Sequence, residues 1–220
     1  GGEVKNFDPL RFMEKNDARK ADLFAKYAIA AAVQAMEDSA LTEENIDKRR
    51  LGVYVGSGIG GMITFVEETL KLENSGPRKV SPFFVPMMIS NMASGLIAIR
   101  FKAQGPCLPI VTACATGTHS VGEAFLAIAD GRADAIITGG AEAAVTPLSI
   151  AGFGNAQALC TSEDPANSSK PFDLNRSGFV IGEGAGILVL EEKEHAEARG
   201  AKIYAEVVGY GNTCDAYHIT

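Results

Sequence analysis

Hydrophobic positions along the chain fall into stretches of helical spacing and short strand-like runs. Residues 20–39 place apolar side chains on one face of a helix, and the many alanines favour close packing against another element. Short apolar runs bounded by glycine, proline or charged residues predict buried strands at residues 51–55, 108–111, 133–138, 187–191 and 203–210. The last two runs flank a helix at residues 193–200 and form a βαβ-like unit with it.

Other stretches predict the connections between these elements. An amphipathic helix follows Gly61, and residues 87–101 predict a helix that is apolar on most of its faces and therefore buried. Residues 142–160 are rich in glycine, alanine and serine and predict an irregular segment that contains Phe153. Irregular segments of this length in a compact domain are usually functional.

Cys114 lies where the apolar run at 108–111 changes to a helical pattern. Unpaired backbone N–H groups and the positive end of a helix dipole both favour a thiolate at such a position. The small neighbours Ala113, Ala115 and Gly117 would let a substrate carbonyl reach the sulfur and meet those donors. A buried structural cysteine is the alternative interpretation, and this stretch alone leaves both open.

A nucleophilic cysteine usually needs a base, and the sequence offers three histidines for that role. His119 is five positions after Cys114 on the same helix and cannot easily face the sulfur, so we expect it to make an interior hydrogen bond. His195 lies in a charged helix and is expected to face solvent. His218, in a loop, is the only sterically free candidate, and a Cys114–His218 dyad stays a hypothesis.

The glycine-rich segment at residues 56–61, G-S-G-I-G-G, follows a strand and precedes a helix. This is the outline of a dinucleotide-binding fingerprint, which also needs a second strand ending in an acidic residue about 20 positions later. Residues 73–79 instead form a polar loop with no strand pattern. We therefore favour a second interpretation, in which the glycines permit close backbone approach beside a pocket.

Composition narrows the class of protein. The chain of 220 residues has 46% hydrophobic and 21% charged residues, which is typical of one large or two small globular domains. A net charge of −7, with no basic cluster longer than Lys48-Arg49-Arg50, argues against nucleic-acid binding. Four cysteines without CxxC or zinc spacing indicate free thiols, a reducing compartment and no metal site. No run is long enough to span a membrane, and we expect a cytoplasmic protein.

Four motifs in order carry a resemblance to a known family. They are G-S-G-I-G-G at 56–61, G-P-R-K-V-S-P-F-F-V-P at 76–86, T-A-C-A-T-G at 112–117 and D-L-N-R-S-G-F-V-I-G-E-G-A-G at 173–186. With them the chain resembles the β-ketoacyl-[acyl carrier protein] synthases, most of all the elongating synthase II type of dissociated fatty-acid synthesis. The resemblance implies an α/β thiolase fold, with α-β-α-β-α layers and mixed five-stranded sheets, in a homodimer without a cofactor.

The resemblance also implies roles for individual residues. Cys114 would take the acyl chain from acyl-carrier protein as a thioester, and its own backbone N–H would be one oxyanion-hole donor. Other matching positions would line the acyl pocket (Ile59, Ala113, Phe153), enter the partner subunit's pocket (Phe84, Val85) or dock the carrier protein (Arg19, Lys20, Arg78, Lys79). Ser149 and Gln157 depart from the glycine and arginine of synthase II enzymes, so pocket depth and part of the docking contact do not carry over.

The family's two catalytic histidines, a nearby lysine and the second oxyanion-hole segment match nothing in this sequence. Residues 1–220 are therefore expected to be the N-terminal half of a synthase without its first strand, with the C-terminal half absent from this chain. The expected activity is decarboxylative condensation of an acyl chain on Cys114 with malonyl-carrier protein. Two alternatives share the fold: a non-catalytic subunit that binds carrier protein or determines chain length, and a degradative thiolase.

Overall fold

A mixed sheet forms the centre of the computed structural model, which describes residues 1–217. Its strands β1 (Leu51–Gly56), β2 (Ala135–Glu142) and β3 (Gly184–Glu191) lie in the order β1-β2-β3. β1 runs parallel to β2, and β2 runs antiparallel to β3. All six residues of β1 are buried, because helices cover both faces of the sheet.

The helices lie on the two faces of this sheet and in the connections between strands. They are α1 (Lys15–Ala18), α2 (Leu23–Ser39), α3 (Met62–Ser75), α4 (Phe84–Met88), α5 (Met92–Phe101), α6 (Thr116–Ala129), α7 (Pro147–Asn155) and α8 (Lys193–Ala198). α2 and α5 pack on one face, and α6 packs on the other. The expected mixed sheet between helices is confirmed. Of the helices in residues 1–217, none combines the length and apolar character that a bilayer crossing needs.

Alternation of side chains along β1 divides the interior into two cores. Val53 and Val55 face α2 and α5, whereas Tyr54 faces α6. Ala28 and Ala32 of α2 are completely buried, which confirms that the alanines of this helix serve close packing. Phe24, also completely buried in this core, contributes roughly 1.5–3 kcal/mol to folding by leaving water.

A buried carboxylate, Asp22, joins the starts of two helices. It caps α2 by accepting a hydrogen bond from the backbone N–H of Phe24 at 3.3 Å. Its other oxygen accepts from both the backbone N–H and the hydroxyl of Thr64, in the first turn of α3, at 2.8 and 2.6 Å. Asp22 therefore fixes α3, and with it the glycine-rich segment that precedes α3.

The prediction of a strand at residues 108–111 is wrong, for a specific reason. Only an isolated parallel bridge between Val53 and Cys107 forms in this region. At Val55 the hydroxyl of Ser94 takes the place of a strand partner, because it accepts from the Val55 N–H at 3.0 Å and donates to the Val55 carbonyl at 2.8 Å. The chain at 108–111 therefore runs beside β1 without a ladder of its own.

Three further expectations also differ from the structure. Residues 203–210 form no strand: a strand pattern needs a neighbouring backbone edge, and Tyr204 and Val208 here stay exposed. The segment 142–160 contains α7, which Thr146 caps at its first turn. The helix predicted at 87–101 is divided into α4 and α5. Because residues 108–111 and 203–210 form no strands, the sheet within residues 1–217 has three strands, not the five that the resemblance implies.

An ion-pair network around Glu191 attaches α8 to the sheet. Arg199 donates to both oxygens of Glu191 at 2.7 Å, and one of its nitrogens also donates to the carbonyl of Ser39 at the end of α2. His195 Nδ1 lies 2.5 Å from Glu191, so the expectation that His195 faces solvent is wrong. Burial would raise the pKa of Glu191, but Arg199 and His195 outweigh it and hold that pKa below its ordinary value.

Replacing Asp22 by alanine should destabilise the protein by about 2–4 kcal/mol, because a helix cap and the acceptor for two Thr64 donors are lost together. Denaturant unfolding of the intact protein measures this loss. The matched control is Asp8→Ala, which removes an exposed cap from a single 3₁₀ turn. Equal effects of the two variants would contradict the role given to Asp22.

The Glu191 network should make stability depend on pH. The pKa of Glu191 is lower in the folded state than in the unfolded state. The contribution of Glu191 to the free energy of unfolding is therefore complete above about pH 4.3 and is lost as pH falls through the folded pKa. Glu191→Gln should lower the free energy of unfolding by about 2 kcal/mol at neutral pH. This is less than the loss expected from breaking a fully buried ion pair, because glutamine still accepts a hydrogen bond from Arg199. Thermal melts between neutral and acidic pH should show this cost shrinking with acidification. The exposed control Glu194→Gln should show neither effect.

Candidate active site

Cys114 lies in a single 3₁₀ turn, Ala113–Ala115, directly before α6, and its thiol is exposed. The residue before it is strained: Ala113 has φ 51°, in the left-handed region that favours glycine. Such a backbone costs about 1–3 kcal/mol and persists only where the surroundings impose it. The turn that presents the thiol is therefore held in place by its neighbours.

Hydrogen bonds on both sides fix this turn. The N–H of Thr112 donates to the hydroxyl of Thr116 at 2.8 Å, and the N–H of Ala115 donates to the Thr112 carbonyl at 3.1 Å. The N–H of Cys114 itself has no acceptor among residues 1–217. A free donor next to the sulfur, at the positive end of α6, is what an oxyanion would need.

The histidines supply no base for this thiol in the described part of the chain. His119 Nδ1 lies 2.8 Å from the hydroxyl of Thr112, and its ring packs edge-on against Tyr210 at 6.2 Å. It makes the expected hydrogen bond, although its side chain is half-buried rather than interior. His195 is engaged with Glu191. His218 lies outside the described residues, so the Cys114–His218 hypothesis stays a prediction.

A carboxylate that no motif singled out organises the site. Glu142, at the end of β2, accepts from the Ser57 hydroxyl at 3.0 Å, the Gly58 N–H at 2.9 Å and the Ile59 N–H at 3.2 Å. Burial raises the pKa of Glu142 above its ordinary value, although these donors oppose the shift. The only signal in the sequence is a glutamate that ends a buried run near a glycine-rich segment.

The glycine-rich segment thus serves close approach, as the second interpretation held. Gly58 lies against Ala113, and a Cβ there would be 3.4 Å from the Ala113 carbonyl oxygen. Gly61 donates to the Met88 carbonyl at 2.9 Å, and a Cβ on Gly61 would lie 2.2 Å from the Met87 oxygen. The dinucleotide interpretation is wrong, because the N–H groups that would hold a phosphate bind Glu142 instead.

Gly117, at the start of α6, faces the end of β2. A Cβ on Gly117 would meet only the Gly140 backbone nitrogen, at 4.0 Å, which is an ordinary van der Waals contact. The predicted role of Gly117, access of a substrate to the sulfur, stays a prediction.

The predicted pocket residues divide into two groups. Ala113 precedes Cys114 and contacts Gly58, and Ile59 follows Gly58 with its backbone N–H bonded to Glu142. Phe153 lies on α7, where its ring packs edge-on against Phe179 at 5.2 Å. A cavity of about 780 Å³ opens next to Phe179, with Gln157 and Arg176 among its walls.

The remaining predicted residues lie around the connection between α3 and α4. Phe84 and Val85 begin α4, where Phe84 is half-buried and Val85 is exposed. The ammonium group of Lys20, which follows Arg19, lies 5.4 Å from the centre of the Phe83 ring. Phe83 belongs to the connection that also contains Arg78 and Lys79. None of the four basic residues forms an ion pair within residues 1–217.

Within residues 1–217 no group of His, Cys, Asp and Glu side chains has an arrangement that could hold a metal ion. The Cys114 turn presents an exposed thiol and a free N–H beside it, next to the loop that Glu142 holds.

Comparison with known proteins identifies relatives of this chain. Residues 2–196 match the family model described as "Beta-ketoacyl synthase, N-terminal domain". Over its full length the chain is 56% identical to 3-oxoacyl-[acyl-carrier-protein] synthase 2 of Vibrio cholerae and 51% identical to that of Synechocystis. It covers 53% of each of these proteins, and so spans about half the length of the curated relatives it matches.

Solved structures agree with the sequence relatives. A β-ketoacyl synthase from Burkholderia phymatum superposes with a TM-score of 0.89 at 32% identity, over 99% of this chain and 54% of that one. A chain of AntDE:AntF, described as a type II PKS acyl-carrier protein in complex with its ketosynthase, superposes with a TM-score of 0.86 at 34% identity, over 100% of this chain and 53% of that one. The thiolase-like fold that the resemblance implied is thereby confirmed.

Replacing Gly56 by alanine should displace the Cys114 turn, because the new Cβ would lie 2.2 Å from the Ile110 carbonyl oxygen and 2.3 Å from Thr116 Cγ2. We expect a loss of about 1–3 kcal/mol in stability and slower alkylation of Cys114 by iodoacetamide. Peptide mapping separates Cys114 from the other exposed cysteines, Cys107 and Cys214. The control Gly152→Ala, which enters open space in α7, should leave alkylation unchanged.

Proposed function

This chain belongs to the β-ketoacyl synthase family, and on that premise we propose that the protein containing it is a 3-oxoacyl-[acyl-carrier-protein] synthase of fatty-acid elongation. The observation that carries the proposal is the exposed Cys114 thiol on a strained turn, with a free backbone N–H beside it at the start of α6. Neither feature is needed by a cysteine that only fills a core.

The first proposed step moves the acyl chain onto Cys114. The thiolate attacks the thioester carbonyl of acyl-carrier protein, and the carbonyl oxygen becomes an oxyanion that the Cys114 N–H stabilises. The carrier thiol then leaves as the C–S bond to it breaks, and it takes up a proton. The acyl chain is left on Cys114 as a new thioester.

The second step condenses that chain with malonyl-carrier protein. Malonyl-carrier protein loses CO₂, and the carbanion attacks the carbonyl of acyl-Cys114, so that a C–C bond forms and the C–S bond breaks. The products are a β-ketoacyl-carrier protein two carbons longer and a free Cys114 thiol. The resemblance assigns the decarboxylation to histidines in the C-terminal half of such enzymes, and none of them matches His119 or His195.

The substrate pocket is proposed to draw on both subunits of a homodimer. Ile59, Ala113 and Phe153 would line the acyl pocket of one subunit, and Phe84 and Val85 would reach into that of its partner. The exposed apolar side chain of Val85, 56% accessible at the start of α4, supports a partner on this side.

Acyl-carrier protein is the proposed macromolecular partner. Arg19, Lys20, Arg78 and Lys79 form no ion pair among residues 1–217, which leaves their charges available for an acidic partner. Lys20 contacts Phe83 in the same connection that contains Arg78 and Lys79. The similar structure AntDE:AntF is a complex of an acyl-carrier protein with its ketosynthase. Free thiols and a carrier-dependent reaction favour a cytoplasmic location.

A non-catalytic subunit is the second candidate, because the ishigamide ketosynthase/chain length factor also superposes with a TM-score of 0.86 at 36% identity. Such a subunit would bind carrier protein or determine chain length without using a cysteine. The presence of Cys114 on its strained turn favours the catalytic proposal. Loss of activity in a Cys114 variant decides between the two.

Incubation of the intact protein with a long-chain acyl-carrier protein should add one acyl group, and peptide mapping should place it on Cys114. Cys114→Ser should abolish the thioester adduct and reduce condensation by about 10⁴-fold or more. Cys107→Ser, at the exposed cysteine beside β1, is the matched control and should retain the adduct. Intact mass spectrometry and product chromatography measure the two effects.

An unmodified Cys114 in the full-length protein would contradict the proposal. Full condensation activity in Cys114→Ser would instead support the non-catalytic subunit. Residues 1–220 alone should at most be acylated slowly and should form no β-ketoacyl product.

A further inference from the structure

We infer that Glu142 is a positioning residue of the acyl site, whose carboxylate holds the segment 57–59 against Ala113 and so sets both the Cys114 turn and the location of Ile59. The inference rests on the proposed function for its substrate, and on the described contacts for its geometry. It gives Glu142 no proton-transfer role, because its hydrogen bonds lead to the loop and not to the thiol.

The carboxylate is matched to the donors of the loop. One oxygen of Glu142 accepts from the Ser57 hydroxyl, and the other accepts from two successive backbone N–H groups, those of Gly58 and Ile59. The Ser57 oxygen in turn accepts from the Gly60 N–H at 2.9 Å. Two adjacent N–H groups aimed at one oxygen need an acceptor with free lone pairs, which a carboxylate or a carboxamide supplies.

The loop that Glu142 holds is in direct contact with the strained residue. A Cβ on Gly58 would lie 2.9 Å from the Glu142 oxygen, 3.4 Å from the Ala113 carbonyl oxygen and 3.6 Å from the Ala113 Cα. Gly58 is therefore packed between the carboxylate and the residue whose φ is 51°. If the carboxylate were lost, the loop could move, and Ala113 would lose a contact that keeps it in the left-handed region.

The position of Ile59 depends on the same carboxylate. Its side chain is 38% exposed, so packing alone leaves it loosely defined, whereas its backbone is attached to Glu142. Glu142 itself is fixed by the sheet, where it lies opposite Gly184 at the end of the ladder between β2 and β3. The position of a pocket-lining residue is thus set from a rigid element, as accurate substrate positioning requires.

The test uses the full-length protein and a series of acyl-carrier proteins that differ in chain length. Glu142→Ala should slow acylation of Cys114 by about tenfold and change the chain length that is transferred fastest, because Ile59 and the turn both move. Glu142→Gln keeps an acceptor for the Gly58 and Ile59 N–H groups and should stay within about threefold of the parent protein. The control Glu73→Gln, exposed on α3, should match the parent protein.

The profile over chain length is a ratio within one variant, so partial unfolding lowers all rates together and leaves the ratio unchanged. If Glu142→Ala does not fold, Ser57→Ala removes one of the three donors, and a changed profile in that variant supports the inference. An unchanged profile and rate in the variant that folds would overturn it.

Alkylation of Cys114 by iodoacetamide separates this inference from the proposed function, since it needs no acyl substrate. A parent protein that accepts no acyl chain would refute the proposed function, while a slower alkylation in Glu142→Ala would still support the positioning of the turn. Equal alkylation rates in Glu142→Ala and Glu73→Gln would refute that positioning.

Discussion

The carboxylate of Glu142 joins the end of β2 to the loop after β1, and the turn that carries Cys114 rests on that loop. Two parallel strands bring these parts together, because Gly56 of β1 lies opposite Gly140 of β2. The position of the thiol is therefore determined by the sheet through one half-buried charged group. A charge can be kept there because three donors satisfy it, and an unsatisfied charge at this depth would be strongly unfavourable.

The sequence predicts well those elements whose periodicity is also their cause of folding. The alanine-rich face of α2 and the apolar run of β1 are examples, since each buries its pattern against the sheet or its helices. The pattern is misleading where a side chain replaces a backbone partner. Residues 108–111 have strand composition, yet the hydroxyl of Ser94 occupies the backbone groups of Val55 that a strand would use. Local strand propensity carries no signal for this competition between a side chain and a backbone partner.

The site shows the same division. Residue type and spacing predict Cys114, its small neighbours and the glycine-rich loop, because close backbone approach needs glycine wherever it occurs. The role of Glu142 has no such signal, since it depends on a contact between two segments 83 to 85 positions apart in sequence. The left-handed conformation of Ala113 was hidden for a related reason: alanine carries no signal for a backbone shape that its surroundings impose.

Ser94 has a consequence for the whole chain as well as for one strand. Along the outer side of β1, Leu51 accepts from Gly105, Val53 exchanges bonds with Pro106 and Leu108, and Val55 exchanges bonds with Ser94. Exposed strand edges are templates on which other molecules add strands and aggregate. Here the outward-facing backbone groups of Leu51, Val53 and Val55 are already hydrogen-bonded. This edge of the sheet therefore offers other chains no template for adding a strand when newly synthesised chains are concentrated.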